Sequence, residues 1–208
     1  MAKQSAGGRV EYSNRLECES FVSVKKSLYI NKEWDGTPLP QNDSIYIEIE
    51  LQDDGLAFYA SAKCYEDTPP PTESDPEKGT WELWNYEVVE LFFVGENGEY
   101  TEVEVGPHGH HLVLTLDAPR SIVQKEISML WKPIRSGNYW GGIGLLAYTW
   151  LPEKIVRFNA FAIHTTGGKR RYCCHTPLPG PQPDFHQPDR FALWDDIPNA
   201  KEDLPSTD

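Results

Sequence analysis

The stretch SIYIEIELQDDGLAFYASAKC, residues 44–64, alternates with a period of two. Ile45, Ile47, Ile49 and Leu51 fall on one face, and Tyr46, Glu48 and Glu50 on the other. That is the pattern of a strand with one face in a core and one in water. The turn DDG (53–55) then leads into LAFYASAKC (56–64), a second arm of similar character, so the pair reads as a β-hairpin. The same grammar recurs downstream. EVVELFFV (87–94) and EYTEVEVG (99–106) flank ENG, and RFNAFAIHT (157–165) and RRYCCHT (170–176) flank TGGK. HHLVLTLD (110–117) and GGIGLLAYT (141–149) read as further strands, whereas SIVQKEISML (121–130) has no defined pattern. No long segment carries the 3.6-residue period of an amphipathic helix.

Roughly ten short strands with turn residues between them predict an all-β fold, an antiparallel two-sheet β-sandwich. The strands run from about 21 to 197 with no break long enough to divide a core, so residues 21–197 are assigned to one domain. Residues 1–20 and 198–208 are polar and aperiodic and are expected to be flexible tails. The Pro-rich acidic piece DTPPPTESDPEKG (67–79) is assigned as a long loop within the domain, because each side alone has too few strands to close a core. Ile45, Ile47, Ile49, Leu51, Val89, Leu91, Phe93, Leu112, Leu114 and Leu116 are the expected core, with polar side chains on the opposite faces.

The 208-residue chain has a formal net charge of −13. Nucleic acid and anionic membrane both require a basic patch, so neither is an expected partner. No stretch approaches the ~18 apolar residues of a membrane span. Four cysteines, at 18, 64, 173 and 174, form no C-x-x-C pair, and the adjacent Cys173 and Cys174 must point to opposite faces of a strand. Free thiols and a cytoplasmic location are the economical expectation.

The chemistry concentrates in LWNYEVVELFF (83–93), where Glu87 and Glu90 interrupt an otherwise apolar strand. A buried carboxylate needs a partner or a function. Trp84, Glu90, Tyr100, Glu102, Glu104, His108, His110 and His111 fall within three consecutive strands and their turns. Strands ~4.8 Å apart can gather such side chains into one patch. An indole face beside a carboxylate and imidazoles suits a sugar, whose C–H face stacks while its hydroxyls are held by acceptors and donors. The alternative is structural: Trp84 caps the core edge, Glu90 pairs with an arginine such as Arg157, and the histidines line a wet turn. PHGHH could supply metal ligands, with His164, His175 or His186 completing a shell, although the spacing is not diagnostic. Haem would need axial ligands that Met129 or a histidine pair would have to provide. No nucleophile elbow, zinc-protease helix or phosphate loop is present, and Glu87 and Glu90 face opposite ways, so they cannot act together in hydrolysis.

The order of these motifs carries a resemblance. The W-x-x-Y/E-rich central motif, the G-x-Y-x-E-x-E-V strand, RFNAFAIH and PDFHQPDRFALWD resemble the family 9 carbohydrate-binding modules, jelly-roll-like β-sandwiches grouped with the DOMON-like domains. WDG (34–36), ELWNYEVVELFF, PHGHHLVL, FNAFAIH and PDFH together resemble the uncharacterised protein family 0462, across about residues 28–194. The resemblance implies a jelly-roll-like fold and a sugar or other small polar ligand gripped by Trp84 and Glu90. His110 and His111 would stand on the next strand, with Tyr172, Phe185 and His186 forming the second wall. It leaves a structural calcium ion open and implies no catalytic residue and no other cofactor. Two rival readings remain: an enzyme acting on a sugar derivative through His111, His164, His186 and Glu90, and an interaction or scaffold protein that kept the fold without the site.

Overall fold

The computed structural model describes residues 24–200, apart from 53 and 66. In chain order its strands are β1 (Val24–Ile30), β2 (Lys32–Glu33), β3 (Ile45–Gln52), β4 (Gly55–Lys63), β5 (Val88–Gly95), β6 (Tyr100–Val105), β7 (His111–Ala118), β8 (Ser121–Gln124), β9 (Leu130–Ser136), β10 (Tyr139–Ala147), β11 (Ile155–Thr166), β12 (Lys169–Cys174) and β13 (Ala192–Leu193). The only helical elements among the described residues are three-residue 3-10 turns. All three expected hairpins form, closing at Gln52–Gly55, Val94–Tyr100 and Thr166–Lys169. In the tightest of them Gly167 and Gly168 both take positive φ (58° and 71°), as a two-residue turn that follows strand twist requires.

The strands build two antiparallel sheets. One runs β1-β3-β4-β10-β9; the other runs β2-β12-β11-β5-β6-β7-β8, with β13 added along β11. The region without an assigned pattern contributes β8 and leads into β9. The assignment of 141–149 as strand shifts to 139–147, followed by a 3-10 turn at Tyr148–Trp150. Residues 67–79 form no strand and run as a loop between β4 and β5. Of the expected tails, 1–20 and 201–208 lie outside the described residues. Residues 198–200 do not hang free: Pro198 O accepts from Ser27 N at 3.0 Å and Ala200 N donates to Lys25 O at 2.9 Å.

Between the sheets lies the main core. Ile45, Ile47 and Ile49 from β3 meet Val89, Leu91 and Phe93 from β5, with Trp131, Trp140 and Trp194 around them. Leu51 sits at its edge, half-buried. On β10, Gly144 leaves room for the Phe58 ring, which an added Cβ would meet at 2.1 Å. This is the close-approach role of a strand glycine.

The expectation of polar opposite faces holds for β3 and fails for the larger sheet. Leu112, Leu114 and Leu116 do not share a layer with Leu91. They join Val88, Phe92, Val94, Phe161, Leu178, Phe185 and Phe191 in a second core on the far face of that sheet. Residues 80–87 and 176–191 supply the cover, through Leu83, Leu178, Phe185 and Phe191. A strand buried on both faces reads as a continuous apolar run rather than an alternation, which is why VVELFFV shows no polar side. Cys173 and Cys174 follow the same logic, one in each core. Together with Cys64 they are free thiols; Cys18 lies outside the described residues.

Leu91 is fully enclosed between the sheets. Leu91→Ala should lower unfolding free energy by about 2–5 kcal/mol in urea denaturation. A loss below ~1 kcal/mol would mean that this position does not belong to the main core.

Candidate functional site

Glu87 and Glu90 stand three residues apart at the start of β5 and so project to opposite faces. Glu87 turns toward the main core and is satisfied there: Oε1 accepts from Trp140 Nε1 at 2.6 Å and Oε2 from Tyr65 N at 3.2 Å. Glu90 turns to the second face. Register places it between Phe161 of β11 and Glu104 of β6, while Phe92 stands opposite Glu102. Three glutamates therefore project from two neighbouring strands on the same face of one sheet. All are nearly inaccessible, with 3%, 4% and 0% exposure for Glu90, Glu102 and Glu104. Arg157, the sequence candidate for pairing with Glu90, instead donates to Phe191 O at 2.9 Å.

Above Glu90 and Glu102 opens a cleft of ≈ 420 Å³. Trp81, Trp84, Tyr172, Phe185 and His186 line it, and Arg120 and Asp184 face each other across 2.7 Å in its lining. Each wall has a local cause. The 3-10 turn Leu83–Asn85 buries Leu83 as an anchor and leaves Trp84 half-buried beside Trp81, with ring centroids 5.1 Å apart and planes nearly perpendicular. The PDFH segment is fastened by Asp184, whose Oδ1 accepts from both Arg120 Nη2 and His186 N. Phe185 then stacks on Phe161 at 4.0 Å. Asn159 ties the start of this covering segment to β11: its side chain donates to Thr176 O and accepts from Thr176 N.

His186 Nδ1 lies 2.8 Å from Tyr100 Oη, which itself accepts from Arg120 N. A phenol has one donor and two acceptor sites, so Tyr100 can meet Nδ1 in either role while accepting from Arg120 N. Burial, reinforced by Arg120, lowers the pKa of His186 to about 4, so the ring is neutral at physiological pH.

The carboxyls behave oppositely. Burial raises Glu90 well above the usual carboxylate range, Glu102 adds to this, and Arg170 pulls the other way. Burial raises Glu102 to about 7, against a hydrogen bond with Glu104 and the charge of Arg120. Glu104 is raised by burial and by both neighbours. With all three ionised, Glu102 Oε2 and both Glu104 oxygens have no donor; a proton between Glu102 and Glu104 supplies one. Among the described residues none of the three forms an ion pair with a lysine or arginine.

Of the residues selected from sequence, Trp84, Glu90, Tyr172, Phe185 and His186 converge on this cleft. His110 and His111 do not. His111 is an odd-numbered residue of β7, opposite in facing to Leu112, and its Nε2 lies 3.4 Å from Ile127 O. His110 precedes the strand and bonds the 67–79 loop at Thr72 O, 2.7 Å away. The other histidines are dispersed: His164 stacks on Tyr65 at 3.6 Å and His175 meets Tyr29 O. Among the described residues no group of three or more His, Cys, Asp or Glu is placed to hold a metal ion, so the structure offers no ligand set for the PHGHH metal reading. Trp81, Arg120 and Asp184 were missed as site residues. Glu102, one of the side chains gathered into the central patch from sequence, does line the cleft, because pairing β5 with β6 through the ENG turn places it on the face of Glu90. Arg120 has positive φ (63°) at the turn into β8, a strand the sequence pattern did not reveal.

A β-sandwich with an aromatic cleft on the outer face of one sheet is the class that fold and site define. The fold is shared with the crystal structure of a "putative carbohydrate-binding protein" from Bacteroides uniformis, at a TM-score of 0.59 and 13% identity over 81% of this chain and 84% of that one. No protein-family model matches the chain. The UPF0462 protein C4orf33 homolog of Rattus norvegicus is 40% identical over 169 residues, 78% of this chain and 84% of the relative. The human UPF0462 protein C4orf33 is 37% identical over 164 residues, 76% and 81% of the two chains. The chain belongs to the UPF0462 family.

The raised carboxyls give a pH prediction with a defined sign. A group whose folded pKa exceeds its unfolded value stabilises fully below the unfolded value, and that stabilisation is lost as pH rises through the folded one. For Glu102 the window runs from about 4.5 to about 7. Glu102→Gln should therefore flatten the fall in melting temperature across that window, by roughly 2–4 °C per kcal/mol of stability at stake. Parallel melting curves for variant and wild type would show that Glu102 titrates as an exposed carboxyl.

Proposed function

We propose that this protein binds a small polar ligand of the carbohydrate class in the Trp84–Glu90 cleft and that it acts as a binding module rather than an enzyme. The observation that carries the reading is the pairing of aromatic walls with a floor of buried carboxyls in one open cavity. Its volume of ≈ 420 Å³ falls within the range of ~300–1,000 Å³ usual for small-ligand sites. Trp81, Trp84, Tyr172 and Phe185 offer apolar faces. Glu90 and Glu102 offer acceptors, His186 a neutral imidazole edge, and Arg120 with Asp184 a charged rim. The fold shared with the Bacteroides uniformis protein lends further support.

Catalysis is the weaker reading. Glycoside hydrolysis places two carboxyls on either side of the scissile bond, whereas Glu90, Glu102 and Glu104 rise side by side from the same sheet face. A ligand resting on that floor meets Glu90 and Glu102 from one side, with Glu104 buried behind them. A scaffold role is disfavoured by the cavity itself, since a filled face would serve a scaffold better than an open cleft above buried charge.

Binding of mono- and disaccharides can be followed by the fluorescence of Trp81 and Trp84 and by calorimetry. Glu90→Gln should weaken binding by about 0.5–1.5 kcal/mol, the net value of a hydrogen bond between neutral groups, while leaving the circular dichroism spectrum unchanged. Equal affinity for wild type and Glu90→Gln would remove Glu90 from the site. Turnover of an aryl glycoside, abolished in Glu102→Gln, would favour the enzyme.

A further inference from the structure

Resting on the small-ligand reading, we propose that the ligand is cationic: a polyhydroxylated amine of the amino-sugar class, with its ammonium held between the Glu90–Glu102 floor and the indoles of Trp81 and Trp84. The argument begins with charge. The cleft lining contains Glu90, Glu102 and Asp184 on the acidic side and Arg120 alone on the basic side. Arg120 is already matched to Asp184 at 2.7 Å. Arg170 is committed elsewhere, pairing with Asp67 and donating to the carbonyls of Trp84 and Tyr86 at 2.8 and 2.6 Å. Arg170 and Arg120 act on Glu90 and Glu102 only from a distance; among the described residues neither floor glutamate has an ion pair with a lysine or arginine.

Burial then sharpens the point. Glu102 is almost wholly inaccessible, and with the carboxyls ionised its Oε2 and both oxygens of Glu104 behind it lack a donor. A buried carboxyl group left this way costs free energy that a neutral sugar recovers only in part, because each hydroxyl supplies one donor and no charge. An ammonium supplies three donors and the missing positive charge. The walls suit it as well, since cations bind to the electron-rich faces of indole. The chain's own chemistry illustrates the preference: Lys125 places its ammonium 4.7 Å from the ring centroid of Trp81. Proton balance follows directly. In the empty cleft the floor carboxyls hold protons, and on arrival of the ammonium a carboxyl ionises and its proton passes to solvent.

Calorimetry at pH 6 on the full chain, with glucosamine, N-acetylglucosamine and glucose as probes, tests this. Each titration is run in two buffers of different ionisation enthalpy, so that proton release is read directly. The expected result is glucosamine binding at least tenfold more tightly than the other two, with proton release seen for glucosamine alone. Glu102→Gln, which keeps the shape and removes the charge, should level the three affinities. If all three sugars bind alike without proton release, the cationic ligand is overturned and the polar-ligand reading stands. If none binds, both fall. A glucosamine preference that survives in both Glu102→Gln and Glu90→Gln would overturn the assignment to these carboxyls.

Discussion

A strand that runs between two hydrophobic layers has no wet side on which to leave a carboxylate. β5 is such a strand, and the rest of the structure depends on how its two glutamates are accommodated. The larger sheet has the main core on one face and, on the other, a second core closed by residues 80–87 and 176–191. Glu87 enters the first layer and is paired by an indole N–H and a backbone amide. Glu90 enters the second, where its neighbours across the ladder are another glutamate and a phenylalanine. The first arrangement closes the sandwich edge. The second keeps a patch of the covering layer open, because Glu90, Glu102 and Glu104 on one face cannot be packed over by apolar side chains without heavy cost.

The covering segments reflect this constraint. They seal the second core wherever the sheet offers Phe92, Phe161 or Leu112, and they stand back as walls where it offers carboxyls. Trp84 is positioned by the burial of Leu83 next to it, and His186 by Asp184, which also holds Arg120. The aromatic faces and the polar rim are therefore consequences of how the cover is anchored. The neutral state of His186, set by burial and by Arg120, keeps a second positive charge away from the floor.

The fold was legible in the sequence where local signals were strong. The strict alternation of 44–52 and the DDG, ENG and TGGK turns placed three hairpins, and the resemblance of the motifs in order placed the architecture. What failed has a common physical cause. Alternation reports a strand with one wet face, so it could not show that Leu112, Leu114 and Leu116 belong to a different layer from Leu91. The resemblance put His110 and His111 in the cleft, although one residue of register turns His111 to the other side of β7. One wall of the cleft comes from long-range packing of the 183–186 segment against β5 and β11, to which no period in the sequence corresponds. For Trp84, Phe185 and His186 the motif resemblance succeeded where periodicity was silent. Arg120 was missed because β8 is short, solvent-facing and irregularly paired with β7.

The central claim is that Glu90, Glu102 and Glu104 form a buried, proton-holding cluster under the cleft with no ion pair to a cation among the described residues. Carboxyl-carbon NMR of the ligand-free protein, titrated across the acid and neutral range, measures it most directly. The account predicts three glutamate resonances that remain protonated well above the usual carboxylate range, titrating interdependently, with Glu102 midway at about 7. Three independent titrations near the ordinary value of about 4.3 would contradict it and return the cleft to an unremarkable surface groove.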